Sequence, residues 1–381
     1  MPYITGRVVH DADSHVMETA GWLDDFGTSR VREAFNARMR QRELAAIVAQ
    51  HDDPAYRARD ADEIMARKNY HATGATRRED RSLALDLIGV ASQLVFPTSP
   101  NVWLEGLEHG NDPDLLYGAA SATNRSQVAF CSVDPRLLPV GYVPLADLER
   151  APQAAAEALE LGCAALLIPW ACPKAHATSH VALDAVWAQA AEAGVPILLH
   201  VGNADRVLPP AHANNGLPRV PDFHGGEENF RSISYMAIPH GPMQALSLLI
   251  LDGVLDRFEA LKVGVIELGA VWVPGFMRQL DAAFEAFARH EERLQALRLK
   301  PSEYVRRQVR VTPYPTEPAG WIIEQAGPEI CMFSSDYPHV EGGRNPMGRF
   351  DKSTASVGDA DRERFFRANF EDLMGPAIAA L

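Results

Sequence analysis

Cysteine is scarce and positive charge is in deficit in this 381-residue sequence, and each shortage removes a class of function. The four cysteines, Cys131, Cys163, Cys172 and Cys331, form no C-x-x-C pair, and no stretch of basic, apolar and small residues of the secretory kind opens the chain. A disulfide scaffold is therefore not expected, and the reading is a cytoplasmic protein with reduced thiols. No uninterrupted apolar run approaches the roughly 18 residues that a membrane-spanning helix needs. Lys and Arg number 36 against 50 Asp and Glu, a formal net charge of −14. That balance argues against a nucleic-acid partner, which calls for a basic surface, and against an anionic membrane surface. Internal repeats and low-complexity segments are also missing, so a solenoid or a disordered tail is not expected.

What remains is a composition with 47% apolar and 23% charged residues, that of a soluble globular protein able to bury a large core. Length alone suggests two or three domains, yet one (β/α)₈ barrel commonly spans roughly 200 to more than 400 residues. Short β-rich runs at 7–13, 93–97, 140–144, 163–168, 195–200, 262–267, 310–314 and 330–335 alternate with amphipathic segments. Those segments lie at 114–128, 147–161, 181–193, 232–252, 271–297, 317–326 and 359–379. The alternation predicts a parallel sheet with crossover helices, and eight strands predict a closed (β/α)₈ TIM barrel, α/β in class, as a single domain over 1–381. A gap of about eighty residues separates the first two runs. Residues 19–80, rich in Arg, Asp, Glu and Ala with helical stretches near 29–49 and 60–68, read as a helical insertion whose charges form a solvated face. Residues 201–231, with Pro209-Pro210 and Gly225-Gly226, read as an active-site loop.

Three of the runs end in metal-competent side chains. Asp13 and His15 stand two apart at the end of the first, so on an extended strand they share a face and reach one cation. His200 ends Ile197-Leu198-Leu199-His200, and Asp336 follows Met332-Phe333-Ser334-Ser335. Barrel enzymes place their chemistry at the carboxyl ends of the strands, where Glu267 also falls. A carboxylate ending a buried strand is costly unless paired or bound to a cation, so Glu267 is read either as part of the site or as half of an ion pair with an arginine. Asp11, on the face of Asp13 but one step deeper, reads as a support for the ligands. His240, at a helix start, and His339, three residues after Asp336, are read as substrate contacts or as packed loop histidines.

These residues resemble the amidohydrolase superfamily, in the branch that includes aminocarboxymuconate-semialdehyde and resorcylate-type decarboxylases. The resemblance runs from about residue 8 to about 375. It rests on Asp11-Ala12-Asp13-Ser14-His15, Ile197-Leu198-Leu199-His200, the run from Leu261 to Glu267, and Phe333-Ser334-Ser335-Asp336-Tyr337-Pro338-His339. It implies a divalent metal ion, one or two per chain, held by Asp13, His15, His200 and Asp336. Many relatives carry His or Glu where Asp13 stands; an oxygen-rich set shifts the expectation from Zn²⁺ toward Mn²⁺ or Fe²⁺. On the sixth strand the decarboxylases carry His-Gly-Gly, whereas this chain has Glu267-Leu268-Gly269. Glu267 is then a proton shuttle or a bridge to a second cation.

The expected activity is that of a metal-dependent hydrolase or decarboxylase-like lyase on a small oxygen-bearing or carboxylated organic substrate, with Asp336 or Glu267 moving the proton. A dinuclear iron or iron–manganese oxygenase is the alternative, and a non-catalytic subunit of an active paralogue is a third. The resemblance implies a homodimer or higher oligomer, and a hetero-oligomer with a paralogue fits the third reading.

Overall fold

The computed structural model describes residues 1–39, 41–202, 208–218 and 232–379. Seven strands form one all-parallel sheet in chain order: β1 His10–Val16, β2 Ser92–Pro97, β3 Leu137–Tyr142, β4 Ala165–Leu167, β5 Ile197–His200, β6 Val263–Ile266 and β7 Val309–Val311. Each is buried almost throughout, as expected where barrel side chains fill one face and helices cover the other. That double burial explains why these runs read as continuously apolar rather than alternating.

The eighth strand, expected at 330–335, is not a regular one. Residues 331–337 make isolated bridges, Val311 to Cys331 and Ser14 to Tyr337. Met332 N–H donates to Val311 O on one side (2.9 Å), while Ala12 N–H donates to Phe333 O (3.1 Å) and His15 N–H to Tyr337 O (2.7 Å) on the other. The segment therefore joins β7 to β1 and closes the ring, but Asp336 takes a left-handed φ of 52° that extended backbone does not tolerate. Gly342 folds back over this segment, where a Cβ would stand 1.9 Å from Ser335 O, so no other residue fits there.

Between β1 and β2 lie the helices Ser29–Asn36, Gln41–Ala49, Pro54–Arg57, Asp60–Glu63 and Arg81–Ile88. The helix expected at 60–68 stops at Glu63, and the chain turns before reaching an extended Lys68 and Asn69 at φ 51°. Most charges of this region face solvent as expected, with a few buried exceptions. Arg67 and Asp60 form a buried ion pair at 2.7 Å, and Arg67 also lies 3.7 Å from the Tyr56 ring centroid. Arg81 is fully buried. Of the loop read at 201–231, residues 203–207 and 219–231 lie outside the described residues. No helix among the described residues is long and apolar enough to cross a membrane.

One buried acid in the helical layer sets a pH dependence. Glu108, on the helix Ser99–Glu108, accepts from Leu145 N–H (2.9 Å) and Tyr142 Oη–H (3.4 Å), and burial pushes its carboxyl up to about 7. A raised folded-state value means that the native chain holds the proton longer than the unfolded one. Stability contributed below the ordinary carboxyl range is lost as pH rises through about 7. Glu108→Gln is accordingly expected to raise the melting temperature at pH 8 and to change it little at pH 4, read by thermal unfolding at both values.

Candidate metal centre

The β1–β2 pairing slips between Asp11 and Ser14, a bulge that breaks the simple alternation of faces. Asp11 therefore does not point where Asp13 points, as its spacing suggested. Its carboxylate accepts from Gln93 Nε2 (2.8 Å), Ser335 N (2.8 Å) and Ser335 Oγ (2.6 Å), tying β1 to β2 and to the segment that carries Asp336. Burial pushes this carboxyl up to about 7. Behind it the Arg81 guanidinium donates to His15 O (3.0 Å), Ser14 Oγ (2.9 Å) and Gln93 Oε1 (3.2 Å).

The bulge leaves Asp13 and His15 facing the barrel mouth with His200. Donor atoms of Asp13, His15, His200 and Glu267 all lie within 4.8 Å of one another, and so do those of His15, Glu267, Asp336 and His339. All of these residues are buried. His15 Nε2 is 3.2 Å from Asp13 Oδ1 and 3.7 Å from Asp336 Oδ1. His200 Nε2 is 3.4 Å from both Asp13 Oδ1 and Glu267 Oε2. His339 Nδ1 is 3.1 Å from Asp336 Oδ1. Like Asp336, Glu267 is a non-glycine residue at positive φ (55°); its N–H donates to Thr312 Oγ1 and its carbonyl accepts from Tyr314 Oη. Two such positions at one site mark a locally imposed backbone.

Hydrogen bonds outside the cluster assign the imidazole tautomers. The Thr98 hydroxyl donates to Val16 O (2.8 Å), so its oxygen accepts from His15 Nδ1–H (3.3 Å) and His339 Nε2–H (3.2 Å). His200 Nδ1–H donates to Val201 O (3.0 Å). Each ring then turns its other nitrogen, a lone pair, toward carboxylate oxygens. Burial first, and the neighbouring His339 and His200 next, hold His15 well below the ordinary histidine range, so it is neutral. Lone pairs facing carboxylate oxygens at these distances repel unless a cation lies between them. Asp13 Oδ2 and Asp336 Oδ2 are buried without a hydrogen bond, and neither residue has a Lys or Arg ion-pair partner among the described residues. The donor set therefore fits a divalent cation bound by mixed nitrogen and oxygen ligands.

The other expected contacts separate. His339 joins the cluster. His240 does not: it is exposed at the start of the helix His240–Leu251 and lines a groove of about 550 Å³ with Trp170, Met243 and Phe276. Sequence reasoning missed Thr98, which orients two imidazoles, and Lys68, whose ammonium is buried without a partner. Burial lowers the Lys68 ammonium to about 8, against the opposing effect of Asp336. No spacing rule marks either residue, since both arrive from segments outside the ligand motifs.

The chain belongs to the amidohydrolase family, whose model matches residues 11–374. No curated protein sequence matches it. Among solved structures, an amidohydrolase from Mycobacterium avium subsp. paratuberculosis K-10 superposes with a TM-score of 0.76 at 20% identity, covering 98% of this chain and 100% of that one. A 5-carboxyvanillate decarboxylase from Novosphingobium aromaticivorans DSM 12444, complexed with manganese and 4-hydroxy-3-methoxy-5-nitrobenzoic acid, gives 0.64 at 19% identity, covering 98% of each chain. A dihydroxybenzoic acid decarboxylase from Polaromonas sp. JS666, with bound manganese and 2-nitroresorcinol, gives 0.61 at 16% identity, covering 97% of each. The fold is the TIM barrel that these proteins share.

The Asp11–Ser335 contact is expected to govern ligand placement without holding the fold. Ser335→Ala removes the hydroxyl that joins the Asp336 segment to β1, and loss of such a support typically weakens metal binding about 10-fold or more. Manganese titration of the folded variant checks this; an unchanged affinity contradicts it.

Proposed function

We propose that the chain is a metal-dependent enzyme, a carboxy-lyase or hydrolase acting on a small carboxylated or oxygen-bearing organic molecule. The observation that carries this reading is the convergence of buried imidazole lone pairs and carboxylates at the barrel mouth, with no basic side chain paired to Asp13 or Asp336 among the described residues. Asp13, His15, His200 and Asp336 would hold a divalent ion, Mn²⁺, Fe²⁺ or Zn²⁺, with Glu267 and His339 at its edge. When bound, that ion supplies Lewis acidity toward a substrate oxygen or a water.

The remaining work falls to side chains of this chain. Thr98 and the Val201 carbonyl keep the imidazoles turned inward. Asp336 or Glu267 takes and returns one proton at a carboxylate oxygen. In decarboxylation the C–C bond breaks, CO₂ leaves, the pair of electrons from that bond stays on the remaining carbon, and that carbon receives the proton. In hydrolysis the water oxygen bonds the electrophilic carbon, the bond from that carbon to the leaving group breaks, and the proton passes from water to the leaving group. Two of the similar solved structures are decarboxylases holding manganese and aromatic analogues, which favours a carboxylated substrate. Chelator-stripped protein reloaded with Mn²⁺, Fe²⁺ or Zn²⁺ and assayed under argon for CO₂ release from hydroxybenzoates tests the lyase version. Turnover restored by metal without O₂ supports it.

A second reading rests on the two overlapping ligand groups, which share His15 and Glu267. Glu267, common to both groups, would help hold two ions, as the dinuclear oxygenase reading requires. Two irons, or iron with manganese, per chain and a strict need for O₂ favour that version; one metal and anaerobic turnover exclude it.

A further inference from the structure

Lys68 stands beside the cluster, and the ligand set does not use it. Its backbone is pinned to the ligand-bearing segment, since the N–H of the next residue, Asn69, donates to Pro338 O (2.8 Å), and Pro338 lies between Asp336 and His339. Its Nζ is buried and, among the described residues, makes no hydrogen bond. Asp336 and then Glu341 are the carboxylates whose charge acts on it, and Asp336 is no closer than ion-pair distance. Lys68 is also among the residues around a cavity of about 460 Å³, with Tyr70 and Val340; none of the cluster residues lines it. An ammonium buried without a partner is costly, and proteins retain one where a ligand supplies the counter-charge. A divalent ion in the cluster would draw on the charge of Asp336 and leave Lys68 still less compensated.

We propose that Lys68 is a substrate-binding residue that seats an anionic carboxylate of the substrate beside the metal centre, so that the enzyme selects small organic carboxylates over their neutral counterparts. This inference rests on the metal-enzyme reading for the placement of the substrate, but the side chain acts through its own charge. Lysine suits the role as a compact point charge on a flexible stem, able to meet a carboxylate without the fixed fork of arginine. The insertion between β1 and β2 thereby does more than cover the barrel: it delivers the group that recognises substrate charge.

The test compares the full-length protein with Lys68→Met and Lys68→Arg by calorimetric titration with benzoate and with neutral benzamide, in manganese buffer and in metal-free buffer. Manganese affinity is measured separately. Wild type is expected to prefer benzoate by about 10-fold or more, as loss of a charged partner in a desolvated site implies. Lys68→Met is expected to lose that preference while its circular dichroism spectrum and manganese affinity stay close to wild type, and Lys68→Arg to keep most of it. Wild type without a preference, or Lys68→Met with the full preference, overturns the proposal. Failure of every chain to bind Mn²⁺ would sink the metal reading separately, and the metal-free titrations would still decide Lys68.

Discussion

Asp13→Asn is expected to stabilise the metal-free protein while removing its response to metal. Without a cation, Asp13 Oδ1 sits 3.2 Å from His15 Nε2 and 3.4 Å from His200 Nε2, both lone-pair bearing in the assigned tautomers, and it shares the cluster with the carboxylates of Glu267 and Asp336. Like charges and facing acceptors at this range oppose folding. An asparagine has the same shape, carries no charge and offers an amide N–H to those imidazole nitrogens. Its melting temperature in chelator should therefore exceed that of wild type. Wild type, in contrast, should gain about 2.7 kcal/mol when free Mn²⁺ is a hundredfold above its dissociation constant, because the ion binds the native state alone. Asp13→Asn should gain almost nothing under the same conditions. Thermal unfolding of both proteins with and without metal checks the crossing. A variant that is less stable in chelator, or that responds to Mn²⁺ like wild type, contradicts it.

A second large effect is expected at Arg81. Its fully buried guanidinium has no carboxylate partner among the described residues and instead donates to His15 O, Gly74 O, Ser14 Oγ and Gln93 Oε1. Arg81→Met keeps much of the packing volume but strands these acceptors away from water, each at about 1–3 kcal/mol. A loss of about 3 kcal/mol or more in urea unfolding is expected, together with weaker manganese binding because the His15 carbonyl is no longer anchored. Arg81→Lys should recover only part, since one ammonium cannot span the same acceptors. A change under about 1 kcal/mol in Arg81→Met would contradict this account of the buried network.

The barrel was legible in the order of residues because burial on both faces makes each parallel strand a short apolar run, and β2, β5 and β6 lie within a few residues of where those runs predict them. The eighth strand departs from the regular pattern for a physical reason. Hydrophobicity from Ile330 to Phe333 records burial, whereas the left-handed turn at Asp336 is imposed by contacts with β1 that lie more than three hundred residues away in the chain. Asp13, His15, His200, Glu267 and Asp336 were readable as strand-end candidates for holding a metal, and their donor atoms lie in two overlapping groups at the barrel mouth. The direction of Asp11 was not, because a bulge shifts the register by one and only the pairing with β2 reveals it. Thr98, Lys68 and Arg81 were silent in the sequence, for a hydroxyl, an ammonium and a guanidinium carry no periodic signature of the partners that a fold gives them. His240 shows the reverse, a histidine in a suggestive setting that lines a different groove.

In the proposed reading, residues from separate strands grip a divalent ion at the barrel mouth. Anomalous diffraction from crystals grown with Mn²⁺, of wild type and of His200→Ala, tests it most directly. The account expects a strong manganese peak among Asp13, His15, His200 and Asp336 in wild type, and its loss or marked weakening in the variant. A peak found only elsewhere, or one at this place that is undiminished without His200, would contradict it.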